Sequence, residues 1–483
     1  MIAGPVRYRV YKESGAPWLE QIPDHWELAK IKNLAGPGRK TFVDGDWIES
    51  PYITSEGVRL IQTGNIGSGV YREKGYRYVS HETFDSFKCT EVMPNDVLIC
   101  RLGHPVGRAC IAPDLGVQMI TSVDVCILKS SESVQPAFIV YAMSAPRYLD
   151  WVGSLVRGST RDRVSRSMLG GFALPLPPYN EQSSIVRFLD HVDGHIGRYI
   201  KAKQKLIALL EEQRATTIQQ LVTHGLDKAV PAKPSGLQWL GEVPAHWDVK
   251  PVKRYFREID DRSSSGSEEL LSVSHLTGVT PRSEKNITMF MAESYAGHKL
   301  CEPDDLVINT MWAWMAALGV SQYRGIVSPA YAVYRPLDGS AFRAKYIDYL
   351  LRTTPYIAEY ICRSTGIRSS RLRLYPEQFL RIPLLCPPLE EQDAILTNVA
   401  EATNELDAAI SSARREILLL REYRARLIND VTTGAVDVSD AAKTLPSEPE
   451  GATGAHLDED LYNDEESETE LGIDDPADEE IGA

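Results

Sequence analysis

The chain carries the same block of sequence twice, and this duplication limits its possible folds more than any other feature. Residues 14–34 and 235–255 align at an offset of 221 positions. The whole chain has only 8 tryptophans and 10 histidines, yet both copies contain two tryptophans, one of them after a histidine. Such a match indicates a repeated structural unit. The identical pairs are Ser14/Ser235, Gly15/Gly236, Trp18/Trp239, Leu19/Leu240, Pro23/Pro244, His25/His246, Trp26/Trp247 and Lys32/Lys253.

Two further blocks close each half of the chain. Residues 177–182 (PPYNEQ) match 387–392 (PPLEEQ) at an offset of 210, and 222–225 (VTHG) match 431–434 (VTTG) at 209. The ends of the halves therefore agree, whereas the middles differ in length and sequence. The middles mix strand-like apolar runs, turn residues and short helical stretches, which is typical of an α+β fold. We expect two pseudo-repeated globular domains.

A long amphipathic helix is predicted after each Pro-Pro pair. Apolar residues follow at alternating steps of four and three over about five heptads, the spacing of a coiled-coil seam. We expect the two helices, each about 60 Å long at ~1.5 Å rise per residue, to pack antiparallel as a spacer with pseudo-two-fold symmetry. Two ordinary core helices in unrelated domains are the alternative. The residues assigned to these helices are Glu181, Gln182, Ile185, Leu189, Val192, Ile196, Tyr199, Leu206, Leu210, Glu391, Gln392, Ile395, Val399, Ala402, Leu406, Ala409 and Ala413.

The net charge of −14 is unevenly distributed along the chain. Residues 437–483 contain 17 acidic residues and one basic residue, Lys443, with few large apolar residues, so we expect an acidic disordered tail. The rest of the chain is nearly neutral, which is compatible with a polyanionic partner. The predicted segments are a first globular domain (1–179), a first long helix (180–224), a linker (225–236), a second globular domain (237–388), a second long helix (389–433) and the tail (437–483).

The composition argues against a membrane or secreted protein. The longest uncharged apolar run, residues 311–320, is too short to span a bilayer, and the first ten residues contain no apolar signal region. The 7 cysteines include no CxxC pair, which is typical of a reducing compartment. We expect a cytoplasmic protein.

An arginine cluster precedes each Pro-Pro pair. Arginine and hydroxyl side chains are the usual donors to phosphates and to guanine edges, so both clusters are candidate DNA contacts; a solvated surface loop is the alternative. Trp312 and Trp314 are weaker candidates, because core packing and exposed stacking fit them equally well. Their spacing places both rings on one face of a predicted strand. The cluster residues are Arg157, Ser159, Thr160, Arg161, Arg163 and Arg166, and Arg363, Arg368, Ser369, Ser370, Arg371 and Arg373.

No catalytic or metal site is evident in the sequence. Leu176-Pro177-Pro178-Tyr179 resembles the [Asp/Asn/Ser]-Pro-Pro-aromatic box of amino-methyltransferases, but leucine cannot accept a hydrogen bond from the target amine. Residues 103–108 (GHPVGR) lack the spacing and the lysine of a phosphate-binding loop. His191 and His195 are four residues apart on the first long helix, and no third metal ligand accompanies them.

The duplicated order of motifs resembles the specificity subunit of type I restriction-modification systems. This order is Trp-Leu-x-x-(Ile/Val)-Pro-x-His-Trp, a variable middle, Pro-Pro-x-x-Glu-Gln, a long helix and Val-Thr-x-Gly. The resemblance covers residues 14 to about 438. It implies two target-recognition domains that each bind half of a split DNA sequence in double-stranded DNA, with the helices setting the gap between the halves.

The resemblance also implies that this chain has no catalysis and no bound cofactor of its own. Two methyltransferase subunits, which use S-adenosylmethionine, would dock on the helical frame, and restriction subunits would use ATP and Mg²⁺. One alternative is a self-contained DNA adenine methyltransferase with its own recognition domain. The other is a coiled-coil scaffold without a DNA role.

Overall fold

The computed structural model describes residues 6–156, 162–227, 229–284, 294–337, 341–366 and 372–446. These residues form two compact units. Unit 1 contains the described residues up to Gln204 together with those from Arg414 onward, and unit 2 contains the described residues of Lys205–Ala413. The mixed strand and helix content of each unit agrees with the predicted α+β fold.

Unit 1 is built around two four-stranded sheets, with strand orders β10-β6-β7-β5 and β4-β11-β8-β9. Its strands are β1 (Tyr11–Ala16), β2 (Leu19–Pro23), β3 (Glu27–Lys30), β4 (Phe42–Asp44), β5 (Ile53–Thr54), β6 (Val58–Ile61), β7 (Tyr78–Val79), β8 (Val97–Cys100), β9 (Ala109–Ile111), β10 (Met119–Thr121), β11 (Val125–Leu128) and β12 (Ala173–Leu176). Its first four helices are α1 (His81–Phe87), α2 (Pro136–Met143), α3 (Pro146–Val156) and α4 (Arg166–Gly171). The two-stranded pair β1-β2 lies at the first repeat block, and the pair β3-β12 joins that block to the segment before the first long helix.

Unit 2 has one four-stranded sheet of order β16-β23-β20-β21 and four two-stranded pairs among its described residues. Its strands are β13 (Ala232–Pro234), β14 (Glu242–Pro244), β15 (Asp248–Pro251), β16 (Phe256–Ile259), β17 (Leu271–Ser274), β18 (Gly278–Pro281), β19 (Lys299–Cys301), β20 (Leu306–Ile308), β21 (Leu318–Val320), β22 (Gly325–Val327), β23 (Ala332–Pro336) and β24 (Pro383–Cys386). Its short helices are α6 (Ala344–Leu351), α7 (Thr354–Arg363) and α8 (Pro376–Phe379).

The two predicted long helices are present as α5 (Tyr179–His224) and α9 (Leu389–Thr432). Each helix contributes one half to each unit. In unit 1, Arg424 of α9 donates to Asp193 of α5 at 2.8 and 3.1 Å, and Lys203 lies 2.8 Å from Glu416. As the numbers rise along α5 they fall along α9, so the helices are antiparallel, as predicted.

The same antiparallel pairing holds in unit 2, where Arg214 of α5 donates to Asp407 of α9 at 2.6 Å. Ile218 and Val222 of α5 share a buried cluster with Ile395 and Val399 of α9. The helices are thus held by apolar packing near the globular layers and by ion pairs further along.

The predicted apolar seam is correct near the start of each helix and at Ala413, and it is wrong at four positions between. Tyr199 is 57 % exposed and Leu206 is 42 % exposed, whereas Ile200 is fully buried. In α9, Ala402 and Ala409 are exposed, whereas Thr403 and Ile410 are buried. An α-helix has 3.6 residues per turn, so a strict seven-residue repeat drifts around its surface and the buried positions shift by one residue.

The acidic tail was predicted to begin at Asp437, and this boundary is wrong for residues 437–446. The backbone of Val6 pairs with that of Asp437, and a short helix, α10 (Ser439–Lys443), follows. Four apolar side chains at helical spacing pack into the core of unit 1, and their burial offsets the entropic cost of ordering this segment. They are Val438, Ala441, Ala442 and Leu445. The average composition of residues 437–483 does not reveal this short apolar pattern. The rest of the predicted tail, 447–483, lies outside the described residues.

The repeated Glu-Gln pair ties each long helix to its globular layer. Gln182 accepts a hydrogen bond from the amide of Gln135, the residue before α2, at 2.9 Å, and donates to the carbonyl of Pro177 at 2.9 Å. Gln392 repeats this arrangement: it accepts from the amide of Arg343, the residue before α6, at 2.8 Å. In both units one glutamine side chain thus joins two helix N-termini.

The neighbouring glutamate binds the His-Trp pair of the repeat. Glu181 accepts from the indole nitrogen of Trp26 at 3.0 Å and lies 2.9 Å from Nε2 of His25, and it also accepts from the hydroxyl of Tyr8. In unit 2, Glu391 lies 2.7 Å from Nε2 of His246. The sequence blocks that define the repeat are therefore mutual contacts in each folded unit.

We predict that Gln392→Ala loosens the start of α6. The fully buried Gln392 also donates to the carbonyls of Ala341 and Pro387, at 2.7 and 2.9 Å. Removing the side chain leaves one backbone amide and two backbone carbonyls without this hydrogen-bond partner, which lowers the free energy of unfolding by about 1–3 kcal/mol. Hydrogen-exchange mass spectrometry should show faster exchange over 341–351 than in the wild type, and the exposed Gln220→Ala is the matched control. An exchange rate equal to that of the wild type would contradict the role of Gln392 in holding the start of α6.

Candidate nucleic-acid interface

The first arginine cluster is only partly inside the described residues. Arg157, Ser159, Thr160 and Arg161 lie outside them, and Arg163 and Arg166 lie within them. Arg163 is paired with Asp124 at 2.6 Å, and Arg166 lies 3.5 Å from Asp44. Both arginine side chains remain more than 40 % exposed.

A third arginine, which the sequence analysis did not select, completes this network. Arg101 follows β8, is 6 % exposed, and lies 3.2 Å from Asp44 and 3.7 Å from Asp124. It also donates to the carbonyls of Val164 and Val123, at 3.1 and 2.5 Å. Nothing in the local sequence distinguishes Arg101, because its partners come from distant strand ends. We call Arg101, Arg163, Arg166, Asp44 and Asp124 edge 1.

The second arginine cluster is likewise divided. Arg368, Ser369, Ser370 and Arg371 lie outside the described residues. Arg363 donates to Glu359 at 2.5 Å, one turn earlier on α7. Arg373 donates to Oγ1 of Thr310 at 3.3 Å, and its guanidinium lies 5.4 Å from the centre of the Tyr375 ring. The two ends of the segment are joined by paired backbone hydrogen bonds between Thr365 and Arg373.

Trp312 and Trp314 follow Thr310, the partner of Arg373, in the sequence. They lie on a turn and not on a strand, so the predicted strand geometry is wrong. The turn is a single 3₁₀ turn over Ala313–Met315, and it ends because Ala316 has a positive φ of 60°. The two rings are stacked at 5.9 Å, and both side chains are partly exposed. Each tryptophan is thus partly packed and partly exposed, so the structure does not select one of the two interpretations. We call Thr310, Trp312, Trp314, Arg373 and Tyr375 edge 2.

Edge 1 and edge 2 occupy equivalent positions in their units. In unit 1 the amide of Val164 donates to the carbonyl of Arg101 at 3.0 Å, and in unit 2 the amide of Leu374 donates to that of Thr310 at 2.8 Å. In both units the end of a central strand therefore meets the segment that leads into a short helix, α4 or α8. The two places have the same formal net charge of +1 but different side chains: edge 1 has three arginines and two aspartates, whereas edge 2 combines one arginine with three aromatic rings.

The Pro-Pro pair and the two histidines of the first long helix make ordinary structural contacts. Leu176 ends β12, and Pro177 and Pro178 connect this strand to α5, where the carbonyl of Pro178 accepts from the amides of Glu181 and Gln182. The rings of His191 and His195 are 4.4 Å apart on α5. Among the described residues, no group of three or more His, Cys, Asp or Glu side chains could hold a metal ion. None of the helices formed by these residues has the length and apolar character needed to cross a bilayer.

We predict that the double variant Asp44→Asn, Asp124→Asn lowers the stability of unit 1. The buried guanidinium of Arg101 would lose both carboxylates, and breaking a buried ion pair from one side costs about 3 kcal/mol. Calorimetry of the full chain should show a midpoint lowered by several degrees for one transition, with no change for the exposed control Asp114→Asn. Equal melting of the double variant and the control would contradict a structural role for edge 1.

Comparison with known proteins agrees with this arrangement. The family model for the type I restriction modification DNA specificity domain matches residues 26–210. The MjaVIII specificity subunit of Methanocaldococcus jannaschii is 22 % identical over 442 residues, which cover 86 % of this chain and 94 % of that protein. The putative MjaX specificity subunit of the same organism is 22 % identical over 451 residues, covering 89 % of this chain and 98 % of that protein.

A solved structure has the same fold. It comes from work on complex assembly and conformational transition of the type I R-M system. Its matching chain superposes on this one with a TM-score of 0.53 at 15 % sequence identity. The match covers 86 % of this chain and 99 % of that chain. The duplicated motifs and the paired helices agree with these similarities: residues 26–210 match the type I restriction modification DNA specificity domain, and most of the chain is similar to two specificity subunits.

Proposed function

We propose that this chain selects the DNA target of a type I restriction-modification complex by binding a two-part sequence, with unit 1 and unit 2 each binding one part. The observation that carries this proposal is the repeated edge: each unit brings a strand end and an arginine-bearing segment together at the same position. Equivalent positions with different side chains are what two half-sites of different sequence require.

The chemistry of each edge fits contact with duplex DNA. Arg163 and Arg166 combine an exposed guanidinium with a carboxylate on one side, which fixes the orientation of the group while leaving other N–H donors available. Arg373 is oriented by Thr310 and the Tyr375 ring, and none of its described hydrogen bonds is to a carboxylate. Phosphate contacts from such arginines would position each unit, and base contacts would provide specificity.

We further propose that methylation and cleavage are carried out by other subunits. Two methyltransferase subunits would use S-adenosylmethionine, and restriction subunits would use ATP and Mg²⁺, whereas this chain would bind none of these. The support is the pair of similar helix starts, at Glu181-Gln182 and Glu391-Gln392, which provides two equivalent places for one kind of partner. We place the complex in the cytoplasm, in line with the free cysteines of this chain.

One assay separates this proposal from a self-contained adenine methyltransferase. The purified chain is incubated with labelled S-adenosylmethionine and duplex DNA, with and without methyltransferase subunits. Transfer only when those subunits are present supports the specificity role. Transfer by the chain alone would establish the methyltransferase alternative, and the absence of sequence-specific binding even in the complex would indicate a scaffold.

We predict that Arg163→Ala and Arg373→Ala each weaken DNA binding by the complex and reduce its salt dependence. Loss of one phosphate contact lowers the slope of log K against log salt by about 0.9. Binding titrations at several salt concentrations measure this slope. The exposed Arg426→Ala in unit 1 and Arg324→Ala in unit 2 are controls and should keep the wild-type slope. Unchanged slopes in Arg163→Ala and Arg373→Ala would remove both residues from the interface.

We also predict that lengthening both long helices changes the gap between the two parts of the target and leaves the parts themselves unchanged. The boundary between units falls after Gln204 in α5 and after Ala413 in α9, so one heptad inserted at each place preserves the contacts inside each unit. Seven residues add about 10 Å, or roughly three base pairs. Methylome sequencing measures the gap; an altered half-site with an unchanged gap would contradict the spacer role.

A further inference from the structure

The hairpin loop that leaves the central strand has the same frame in both units. Loop 1 (101–108) connects β8 to β9, and loop 2 (310–317), preceded by Asn309, connects β20 to β21. The two hairpins have the same length, because the paired residues Ile99 and Ala109 are ten positions apart and so are Ile308 and Leu318. Asp96 precedes β8 and accepts from the amide of Met93 at 2.8 Å, and Asp305 precedes β20 and accepts from that of Glu302 at 2.9 Å. The middles of the chain, which differ in sequence, thus share a common hairpin.

The equivalence extends to the end of each loop. Gly107 in loop 1 and Ala316 in loop 2 stand one residue before the last loop position, and both have a positive φ, 84° and 60°. The strand pairs on either side of the loops also match, since Val97 is opposite Ile111 and Leu306 is opposite Val320. Between these fixed points the two loops, RLGHPVGR and TMWAWMAA, have no residue in common at any position.

A buried arginine at the end of loop 1 holds the loop in place by hydrogen bonds. Arg108 donates to the carbonyl of Pro105 at 2.9 Å within the loop, and to those of Ile66 and Thr63 outside it, at 2.6 and 3.0 Å. The guanidinium therefore fixes the loop against a neighbouring turn. His104 is exposed at the tip of the loop, next to Gly103.

Loop 2 is held by its own side chains. The indole of Trp314 donates to the carbonyl of Met311 at 3.0 Å, and the amide of Met311 donates to the side chain of Asn309 at 3.2 Å. Ala313, which stands where loop 1 has His104, is buried. The partly exposed side chains here are Met311, Trp312, Trp314 and Met315.

We infer that loop 1 and loop 2 are the specificity-determining elements of their units and contact base edges in the part of the target that each unit binds. This inference rests on the proposed function. Each loop adjoins the arginine-bearing segment of its edge: the amide of Gly103 donates to the carbonyl of Asp162 at 3.0 Å, and Arg373 contacts Thr310. The arginines can hold the backbone while a rigid loop of fixed length presents variable side chains to the bases.

The two loops present different chemistry. The imidazole of His104 can donate to or accept from purine N7, guanine O6 or an exocyclic amine, whereas Met311 and Trp312 offer apolar surface that fits the thymine methyl group. Two units with one frame therefore bind different half-sites.

The test uses His104→Ala and Trp312→Ala in the full chain, each assembled with its methyltransferase subunits. Methylome sequencing reports which positions of the two-part target remain specified. We expect His104→Ala to relax one part and Trp312→Ala to relax the other, with a loss of discrimination of about tenfold at one or more positions. His81→Ala in unit 1 and Leu276→Ala in unit 2 are exposed controls in the same units and should leave both parts unchanged.

The outcomes are distinct. If either alanine variant fails to assemble, His104→Gln and Trp312→Phe are measured in its place, with a shift at the same positions expected. A wild-type target in both variants would overturn the inference while leaving the proposed function intact. A wild-type complex that methylates no two-part sequence would instead overturn the proposed function.

Discussion

The structure depends on one repeated interaction, the buried glutamine at the start of each long helix. Gln182 and Gln392 each bind the amide before a second helix and the carbonyl of the first proline of the Pro-Pro pair. Buried amides and carbonyls are costly when unpaired, so a single side chain that satisfies several of them fixes the angle at which the helix leaves the globular layer. The adjacent glutamates, Glu181 and Glu391, bind the histidine of the His-Trp block. The most recognisable repeated motifs thus hold each long helix on its globular domain, whereas the proposed DNA contacts are residues that differ between the two halves.

The arginines at the two edges differ in burial and in the partners that orient them. Arg101 is buried among carboxylates and carbonyls and cannot reach a ligand without leaving them, whereas Arg163 and Arg166 share its carboxylates but stay exposed. The aspartates limit the positive charge of edge 1 and orient its guanidinium groups. Edge 2 orients Arg373 with an aromatic ring and a hydroxyl instead. Similar positions can therefore carry the same formal net charge on different sets of side chains.

Sequence periodicity located the long helices well but their buried faces less well. The apolar pattern places Ile185, Leu189, Ile395 and Val399 correctly, because these positions pack against the globular layers and tolerate little drift. Further along, only two helices are in contact and the pattern contains polar residues such as Lys203 and Arg214, so the choice between Ala409 and Ile410 depends on the true helical period. The buried ion pair of Asp193 with Arg424 was not foreseen. Burial raises the pKa of Asp193, and its charged partner lies 231 positions away in the sequence.

The sequence by itself determined the duplication, the two antiparallel helices, the mixed α and β content and the resemblance to type I specificity subunits, because these follow from local periodicity and from motifs that recur at fixed offsets. Only the tertiary structure decided that Asp44 and Asp124 meet the arginines of edge 1, that Trp312 and Trp314 lie on a turn, and that loops 101–108 and 310–317 share one frame. Such contacts join residues far apart in the chain, and strand pairing and burial fix them without leaving a local pattern. The ten residues after α9 show the same limit, since their apolar face has meaning only against the core of unit 1.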